Sequence, residues 1–448
     1  MSDILKLQHQ RALVIGLGIS GYSAARFLVG RGCQVTGYDQ NQDLVLKHDK
    51  IAQLGAQGFR ATHDPCDIKM PNFDFVVVSP GIPDNHMLYQ QARQIGLPIL
   101  GEVELACRFL NQKMLAVTGT NGKTTVTLLI AHVLKHAGIQ AKALGNLGIP
   151  LTEELNNQAL HPSDIIVAEL SSYQLETLQC RCLQAAAILN ITPDHLDRYP
   201  NMQAYAKAKI KLKDCLKTSG SLYIEEAAFK TFGFLLDGFP CQTYGCNSGC
   251  DLFIQPPFLK IHRNEMLRFP DQYKGKNHDL ENITAAYALC REIGVDSAQF
   301  LDALATFKKP LHRIEYVQTI RGVAYYDDSK GTNIDAVIKA VQSLQGPILL
   351  IAGGVDKGAA YTPWIEPFKD KVKVVCAIGQ AAEKIKRDLF PAVPVHIFEN
   401  MEMAVQYAAR TAREGENVLL SPGCSSFDMF KDYAHRGEVF KDLVKALQ

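Results

Sequence analysis

Short apolar runs that end at glycine alternate along the chain with segments whose apolar residues recur at helical spacing. Residues 114–117 predict a buried strand and residues 126–136 a helix, with Thr118-Gly-Thr-Asn-Gly-Lys-Thr-Thr125 between them. The chain begins in the same manner. A strand at 11–15 runs into Gly16-Leu-Gly-Ile-Ser-Gly21, followed by a helix at 22–29 and a strand at 33–38. Further strands are predicted at 73–78, 164–169 and 185–190, and helices at 102–110, 201–216 and 285–293, while 219–270 mixes short strands and turns. A composition shift with a proline near Lys309 precedes a third alternating unit: strands at 323–326, 348–352, 372–378 and 417–420, helices at 334–344 and 404–414. The pattern is α/β, with breaks near residues 101 and 309.

At 448 residues the chain is too long for one ordinary core, and about two to four domains are expected. Lys and Arg total 47 against 46 Asp and Glu, which argues against a general nucleic-acid binder, since a phosphate backbone requires a strongly basic face. No window approaches 18 uninterrupted apolar residues, so no membrane span is expected and the protein reads as soluble and cytoplasmic. A monomer acting on small molecules is expected. The 12 cysteines are scattered. Neither Cys180-x-Cys182 nor the group Cys241, Cys246 and Cys250 has a second ligand pair behind it, so reduced thiols are expected.

The loop after residue 117 has the chemistry of a phosphate site. Its glycines expose backbone N–H groups, the following helix adds a positive N-terminus, Lys123 can reach the β and γ oxygens, and Thr124 can hold Mg²⁺. The expected ligand is ATP, although Val117 stands where the common pattern has its first glycine. Gly16-x-Gly18-x-x-Gly21, with Asp39 at the end of the next strand, fits a dinucleotide, another nucleotide's phosphates, or tight strand–helix packing without a ligand. Ser79-Pro-Gly-Ile-Pro83 falls at the same strand-end edge, though a Pro-Gly pair is also a simple turn. Glu169, ending a strand beside the phosphate loop, suits a Mg²⁺ ligand better than a surface glutamate. His195 lies between Asp194 and Asp197 in a strand-end loop, a metal or phosphate contact or a structural histidine. Lys207, Lys209, Lys211 and Lys213 alternate along a predicted helix, which scatters their charge and reads as a solvated surface. In the third unit, the strand-end loops 327–333, 353–357 and 421–427 are expected to form one site facing the ATP domain.

In this order the motifs resemble the Mur ligases, whose ATP loop has the form found at Thr118–Thr125, so that Val117 is the family's own residue type. Within that family, 16–21, 79–82, 101–104, 169–176, 194–199, 328–333 and 421–428 are similar to the D-glutamate-adding branch. The resemblance implies a Rossmann-like N-terminal domain that binds a UDP substrate (1–101), a central P-loop ATPase-like domain (102–309) and a C-terminal Rossmann-like α/β domain that binds the amino acid (310–448). It implies ATP-dependent joining of D-glutamate to UDP-N-acetylmuramoyl-L-alanine through an acyl phosphate, a cytoplasmic step of peptidoglycan precursor synthesis. Another amino-acid-adding Mur ligase or a folylpolyglutamate synthetase-like ligase is the alternative. An NAD-dependent oxidoreductase would use only the first hundred or so residues.

By the same resemblance, Gly119, Thr120, Asn121, Gly122, Lys123, Thr124 and Thr125, with Asn282, His312, Arg313 and Asp328, are expected around ATP. Gly18, Ile19, Ser20, Asp39, Ser79, Gly81 and Asn146 are expected at the UDP substrate, which displaces the dinucleotide reading. Lys330, Thr332, Lys357, Ser426 and Phe427 would hold D-glutamate. Two Mg²⁺ ions are implied, one at Thr124 and Glu169 and one at His195, together with a carbamylated lysine at Lys209, or else at Lys207. Lys123, His195 and Lys209 would be the catalytic groups.

Overall fold

The computed structural model describes residues 7–47, 49–261, 265–270 and 277–447, the side chains of 265, 277 and 278 excepted. Among these residues the strands form three sheets, and the chain divides into two compact units. One unit holds the first two sheets, with the chain up to Ile191 and Ala206–Phe307; the other holds Thr192–Tyr205 and the chain from Lys308 onward.

The first sheet contains β1 (Arg11–Ile15), β2 (Gln34–Tyr38), β3 (Arg60–Thr62), β4 (Phe75–Val78) and β5 (Ile99–Gly101) in the order β3-β2-β1-β4-β5, all parallel. The order reverses at β1, so the loops leaving β1 and β4 border the crevice where ligands of such sheets bind. The glycine pattern is required there by contact. A Cβ on Gly21 would lie 1.7 Å from the Gly16 carbonyl oxygen, and Ser79 Oγ donates to that same oxygen at 2.7 Å.

The second sheet comprises β6 (Lys113–Thr118), β7 (Ala141–Gly145), β8 (Ile165–Glu169), β9 (Leu183–Ile188), β10 (Leu216–Glu225), β11 (Gln242–Gly245), β12 (Leu252–Gln255), β13 (Phe258–Ile261) and β14 (Glu265–Arg268). Its order is β14-β13-β12-β11-β10-β9-β6-β8-β7, parallel from β7 to β12 and antiparallel beyond. β6 and β8 are apolar and buried on both faces, which explains their unbroken apolar runs. The helices Lys123–His136 and Asn277–Arg291 pack into one apolar cluster against this sheet.

The third sheet contains β15 (Glu315–Ile320), β16 (Val323–Asp327), β17 (Ile348–Gly353), β18 (Val372–Ile378), β19 (Val395–Ile397) and β20 (Asn417–Leu420). The order is β15-β16-β20-β17-β18-β19, with β15 an antiparallel edge and the rest parallel. Apolar clusters cover both faces. The single tryptophan, Trp364, is fully buried in one of them, stacks on Phe368 and donates to the Ile334 carbonyl at 3.1 Å.

The predicted alternation is thus present in all three sheets, with differences at several ends. The helix expected over 201–216 is α-helical only over Met202–Ile210 and tightens to a 3-10 turn at Lys211–Cys215. The helices Glu226–Phe232, Ala382–Leu389 and Tyr433–Lys445 and the strands β15 and β19 were not expected from the pattern. Among the described residues no helix is long and apolar enough to cross a membrane.

Candidate active site

The loop between β6 and the helix Lys123–His136 is built on two left-handed or extended glycines, Gly119 at φ +154° and Gly122 at φ +84°. A side chain on Gly122 would also meet Asn282, whose Oδ1 lies 2.5 Å from the place a Cβ would take. Asn282 therefore lies against the 119–125 loop. Asn190, not singled out in the sequence, clamps the loop from the end of β9. Its carbonyl accepts from Thr120 N at 3.0 Å, its Oδ1 accepts from Asn121 N at 2.7 Å, and its Nδ2 donates to the Asn121 carbonyl at 3.1 Å. Lys123 Nζ folds onto the loop, 2.8 Å from each of the Gly119 and Thr120 carbonyl oxygens. Thr124 is buried and Thr125 half-buried in the first helical turn.

Lys209 corrects the reading of its lysine row as a solvated face. It is 1 % exposed, and its Nζ donates to the Gly119 carbonyl at 2.8 Å, whereas Lys207 is exposed and Lys211 and Lys213 are half-buried. The difference comes from the long-range reach to the phosphate loop, which no local spacing records.

Glu169 ends β8, next to β6 and β7, and is 2 % exposed. Its Oε1 accepts from Asn146 Nδ2 at 2.8 Å, and its backbone carbonyl accepts from Asn146 N at 2.9 Å. Its Oε2 is buried and has no hydrogen-bond partner. A buried anionic oxygen without a donor suits a hard divalent cation, which prefers carboxylate, hydroxyl and water oxygens.

The seven residues expected at the UDP substrate, Gly18, Ile19, Ser20, Asp39, Ser79, Gly81 and Asn146, all line one cavity of about 510 Å³. Tyr38, His86 and Gln174 line it too and were not expected. Asp39 is already engaged by backbone: Oδ2 accepts from Leu17 N at 2.7 Å and Oδ1 from Asn41 N at 2.9 Å. This fixes the glycine loop relative to the end of β2. The first and second sheets are joined beside the cavity by a polar cluster in which Thr152 N and Oγ1 donate to Glu102 Oε1 at 2.7 and 2.8 Å. Burial pushes the Glu102 carboxyl up to about 7.

In the other unit, β16, β20 and β17 are neighbours and parallel, so their C-terminal loops lie side by side. These are the three loops expected to form one site. Gly423 N donates to the Gly331 carbonyl at 2.8 Å, and Val355 and Ser425 form an isolated bridge. Lys330 and Thr332 sit on the first loop, Lys357 on the second, and Ser426 and Phe427 on the third; Ser426 is buried, and Phe427 is 74 % exposed. Lys330 Nζ lies 4.9 Å from the centre of the Tyr433 ring. Arg436, on the unexpected helix, braces the group. Its Nε and one terminal nitrogen donate to Ser329 Oγ at 3.0 Å and Ser329 O at 2.8 Å, and the other to Cys424 O at 3.2 Å.

Lys357 Nζ lies 3.1 Å from Asp194 Oδ1, and the same oxygen accepts from His195 N at 3.0 Å. His195 adopts φ +55°, a left-handed conformation uncommon for a residue with a Cβ, and its Nε2 is 3.5 Å from Asp194 Oδ2. His312 and Ile314 are also left-handed, at φ +61° and +49°. For a β-branched residue this is pronounced strain, and the segment carries Arg313, whose buried Nε has no hydrogen-bond partner. His312 Nδ1 is 2.6 Å from Asp327 Oδ2. Asp328 accepts from Ser421 Oγ at 2.7 Å and is pushed up to about 7 by burial, an effect the Arg313 charge partly offsets.

Three family models match in chain order: the Mur ligase MurD-like N-terminal domain over residues 10–101, the Mur ligase middle domain over 117–248, and the Mur ligase glutamate ligase domain over 312–424. A UDP-N-acetylmuramoylalanine--D-glutamate ligase of Protochlamydia amoebophila is 50% identical over 439 residues, covering 98% of each chain. The enzyme of the same name from Caldanaerobacter subterraneus subsp. tengcongensis is 36% identical over 99% of this chain and 100% of its own. Among solved structures, a UDP-N-acetylmuramate-alanine ligase, MurC, of Thermotoga maritima matches with a TM-score of 0.57 at 18% identity, over 98% of this chain and 100% of that one. MurF of Acinetobacter baumannii matches with a TM-score of 0.61 at 16% identity, over 92% and 90%. The two structural likenesses carry the three-domain α/β fold alone, but the identity sustained along both chains of the first relative goes further: the chain belongs to the Mur ligase family.

Proposed function

We propose that this chain adds D-glutamate to UDP-N-acetylmuramoyl-L-alanine, with ATP converted to ADP and phosphate, in peptidoglycan precursor synthesis. The observation that carries this reading is the 50% identity over 98% of both chains with a D-glutamate ligase. The common cavity of the glycine loop, the Ser79 loop and Asn146, beside Glu169, supports it.

The L-alanyl carboxylate attacks the γ-phosphorus and ADP departs, leaving an acyl phosphate. The D-glutamate amine then attacks the acyl carbon, phosphate leaves, and an amide forms with loss of a proton. Both steps bring anions together, so positioning and charge neutralisation supply the rate. The 119–125 loop and Lys123 bind the ATP phosphates, while Asn282, His312, Arg313 and Asp328 take the rest of the nucleotide. Gly18, Ile19, Ser20, Asp39, Ser79, Gly81 and Asn146 orient the UDP substrate. Lys330, Thr332, Lys357, Ser426 and Phe427 bind D-glutamate, the lysines against its carboxylates.

Thr124 and Glu169 would hold one Mg²⁺ and His195 a second. When bound, the ions neutralise phosphate charge and align the acceptor carboxylate. The unpartnered Glu169 oxygen and the strained His195 support those assignments. Lys209 is the carbamylated lysine: its neutral amine adds carbon dioxide, loses a proton and becomes an anion where a cation stood. Its burial, against the exposure of Lys207, supports that choice. The enzyme works as a cytoplasmic monomer on small molecules, without nucleic acid or membrane.

The test is phosphate release from ATP with UDP-N-acetylmuramoyl-L-alanine, comparing D-glutamate with L-glutamate, L-lysine and L-alanine. Release that depends on D-glutamate is expected. Release independent of it, or driven by another amino acid, overturns the reading.

A further inference from the structure

Cys180 and Cys182 flank Arg181 in the turn before β9, and their spacing alone offers no third ligand. The fold supplies one. Cys107 closes the helix Glu102–Cys107, 75 positions before Cys182, and the three Sγ atoms lie within 4.8 Å of one another. The Cys107 and Cys182 sulphurs are 3.4 Å apart. All three thiols are free; Cys107 is buried, and the other two are half-buried and reach the surface, so they are not simply core filling.

The cluster is held by groups other than the sulphurs. Glu104, on the helix that carries Cys107, is 2 % exposed, and its Oε2 accepts from Gln179 N at 2.8 Å and Cys180 N at 2.9 Å. Its Oε1 accepts from Arg108 Nε at 2.8 Å. A buried carboxylate thus clamps the backbone of one thiol segment to the helix that carries the other. Cys182 N donates to the Cys180 carbonyl at 3.1 Å, which tightens the turn between the paired cysteines. Cys215 is engaged elsewhere, its sulphur 3.8 Å from the Leu178 carbonyl oxygen and 3.7 Å from that of Lys211.

Tetrahedral zinc thiolates have Zn–S distances of about 2.3 Å, which separates neighbouring sulphurs by about 3.8 Å. Three sulphurs already within 4.8 Å can reach that triangle by side-chain rotation, while the clamp keeps the backbone in place. Soft sulphur donors select thiophilic cations over Mg²⁺ or Ca²⁺. We propose that Cys107, Cys180 and Cys182 form a tris-thiolate site for a cation of the zinc class, with a fourth position open to water on the half-exposed side. Binding displaces the three thiol protons to solvent and leaves the sulphur oxidation state unchanged. None of these cysteines belongs to the groups assigned above to ATP, Mg²⁺ or substrate, and the proposal does not depend on the ligase reading.

The full-length chain, reduced with a phosphine and stripped by a chelator, is titrated with Co²⁺ and then Zn²⁺ without nucleotide or substrate. One Co²⁺ per chain is expected, with the near-ultraviolet sulphur-to-metal charge-transfer band of a three-thiolate site, displaced by equimolar Zn²⁺. The band distinguishes this site from oxygen and nitrogen donors such as His312, Glu315 and Asp327, which also converge. It should persist in Cys246→Ser and be lost in Cys182→Ser and in Cys107→Ser, the folding of each variant being checked by circular dichroism. Zinc should raise the unfolding temperature of the parent chain and not of Cys182→Ser. Absence of the band, its survival in Cys182→Ser, or formation of a Cys107–Cys182 disulfide without metal uptake would overturn the proposal.

Discussion

The Asn146 amide donates to Glu169 Oε1 at 2.8 Å and leaves Glu169 Oε2 buried with no donor. One carboxylate thus touches a residue lining the cavity of about 510 Å³ with one oxygen and keeps the other available on the strand next to the one that enters the 119–125 loop. Glu169→Gln preserves the shape and the Asn146 contact but replaces the anionic oxygen by an N–H₂ group that cannot bind a cation. Turnover should fall at least about 100-fold, equivalent to about 2.7 kcal/mol of barrier, with the Mg²⁺ dependence moved to higher concentration. Asn146→Ala should act mainly on the KM for the UDP substrate. A Glu169→Gln enzyme with parental Mg²⁺ dependence would refute the assignment of Glu169 as an ion ligand.

The lysine-rich helix offers a chemical test. Lys209→Ala should lose nearly all turnover, and short carboxylic acids should restore part of it by placing an anion where the carbamate stood. Lys207→Ala, at an exposed position, should leave activity within about twofold of the parent. Full activity in Lys209→Ala, or rescue of neither enzyme function nor metal dependence by carboxylic acids, would remove Lys209 from the mechanism.

Lys357 pairs with Asp194 at 3.1 Å, and both are largely buried. Charge-assisted contacts of this kind contribute about 1.5–3 kcal/mol. Lys357→Met should therefore raise the KM for D-glutamate about 10- to 100-fold. Asp194→Asn keeps the shape but weakens the grip on Lys357 and on the His195 backbone, and should affect turnover as well as KM. Unchanged kinetics for D-glutamate in Lys357→Met would show that this lysine serves only to neutralise Asp194.

What the sequence revealed and what it hid follow the range of the interactions. The strand–glycine loop–helix at 113–136 and the place of Glu169 at a strand end were legible because both depend on adjacent residues. The seven cavity residues were legible through motif resemblance, each motif being a short loop. Asn190, Asp194 and Arg436 were not, because their roles rest on partners 69, 163 and 107 positions away. Lys209, unlike the exposed Lys207, is buried and reaches Gly119, 90 positions before it. β15 is weakly marked in the sequence for another reason: as an edge strand it has no fully buried residue, so its apolar alternation is weak.

Glu102 makes stability depend on pH in a direction opposite to that of a salt-bridged carboxylate. It is fully buried, and burial raises its carboxyl to about 7 from an ordinary 4.5, despite the Thr152 donors that favour the charged form. Between those values the folded chain holds a proton that the unfolded chain has released. Stability therefore falls as pH rises from about 4.5 to 7, and above 7 the full cost of the buried charge remains, on the order of 3 kcal/mol. Asp328, also near 7, contributes with the same sign, so the useful quantity is a difference between variants. Glu102→Gln retains an oxygen acceptor for Thr152 and cannot ionise, at the cost of burying an amide N–H₂ where Oε2 has no partner. That cost is about 1–3 kcal/mol and independent of pH. Urea unfolding from pH 5 to 8 should show the parent losing up to about 3 kcal/mol relative to Glu102→Gln, with the curves converging or crossing toward neutrality. Parallel curves across that range would mean that Glu102 ionises alike in the folded and unfolded chain, and that the Thr152 donors fully offset its burial.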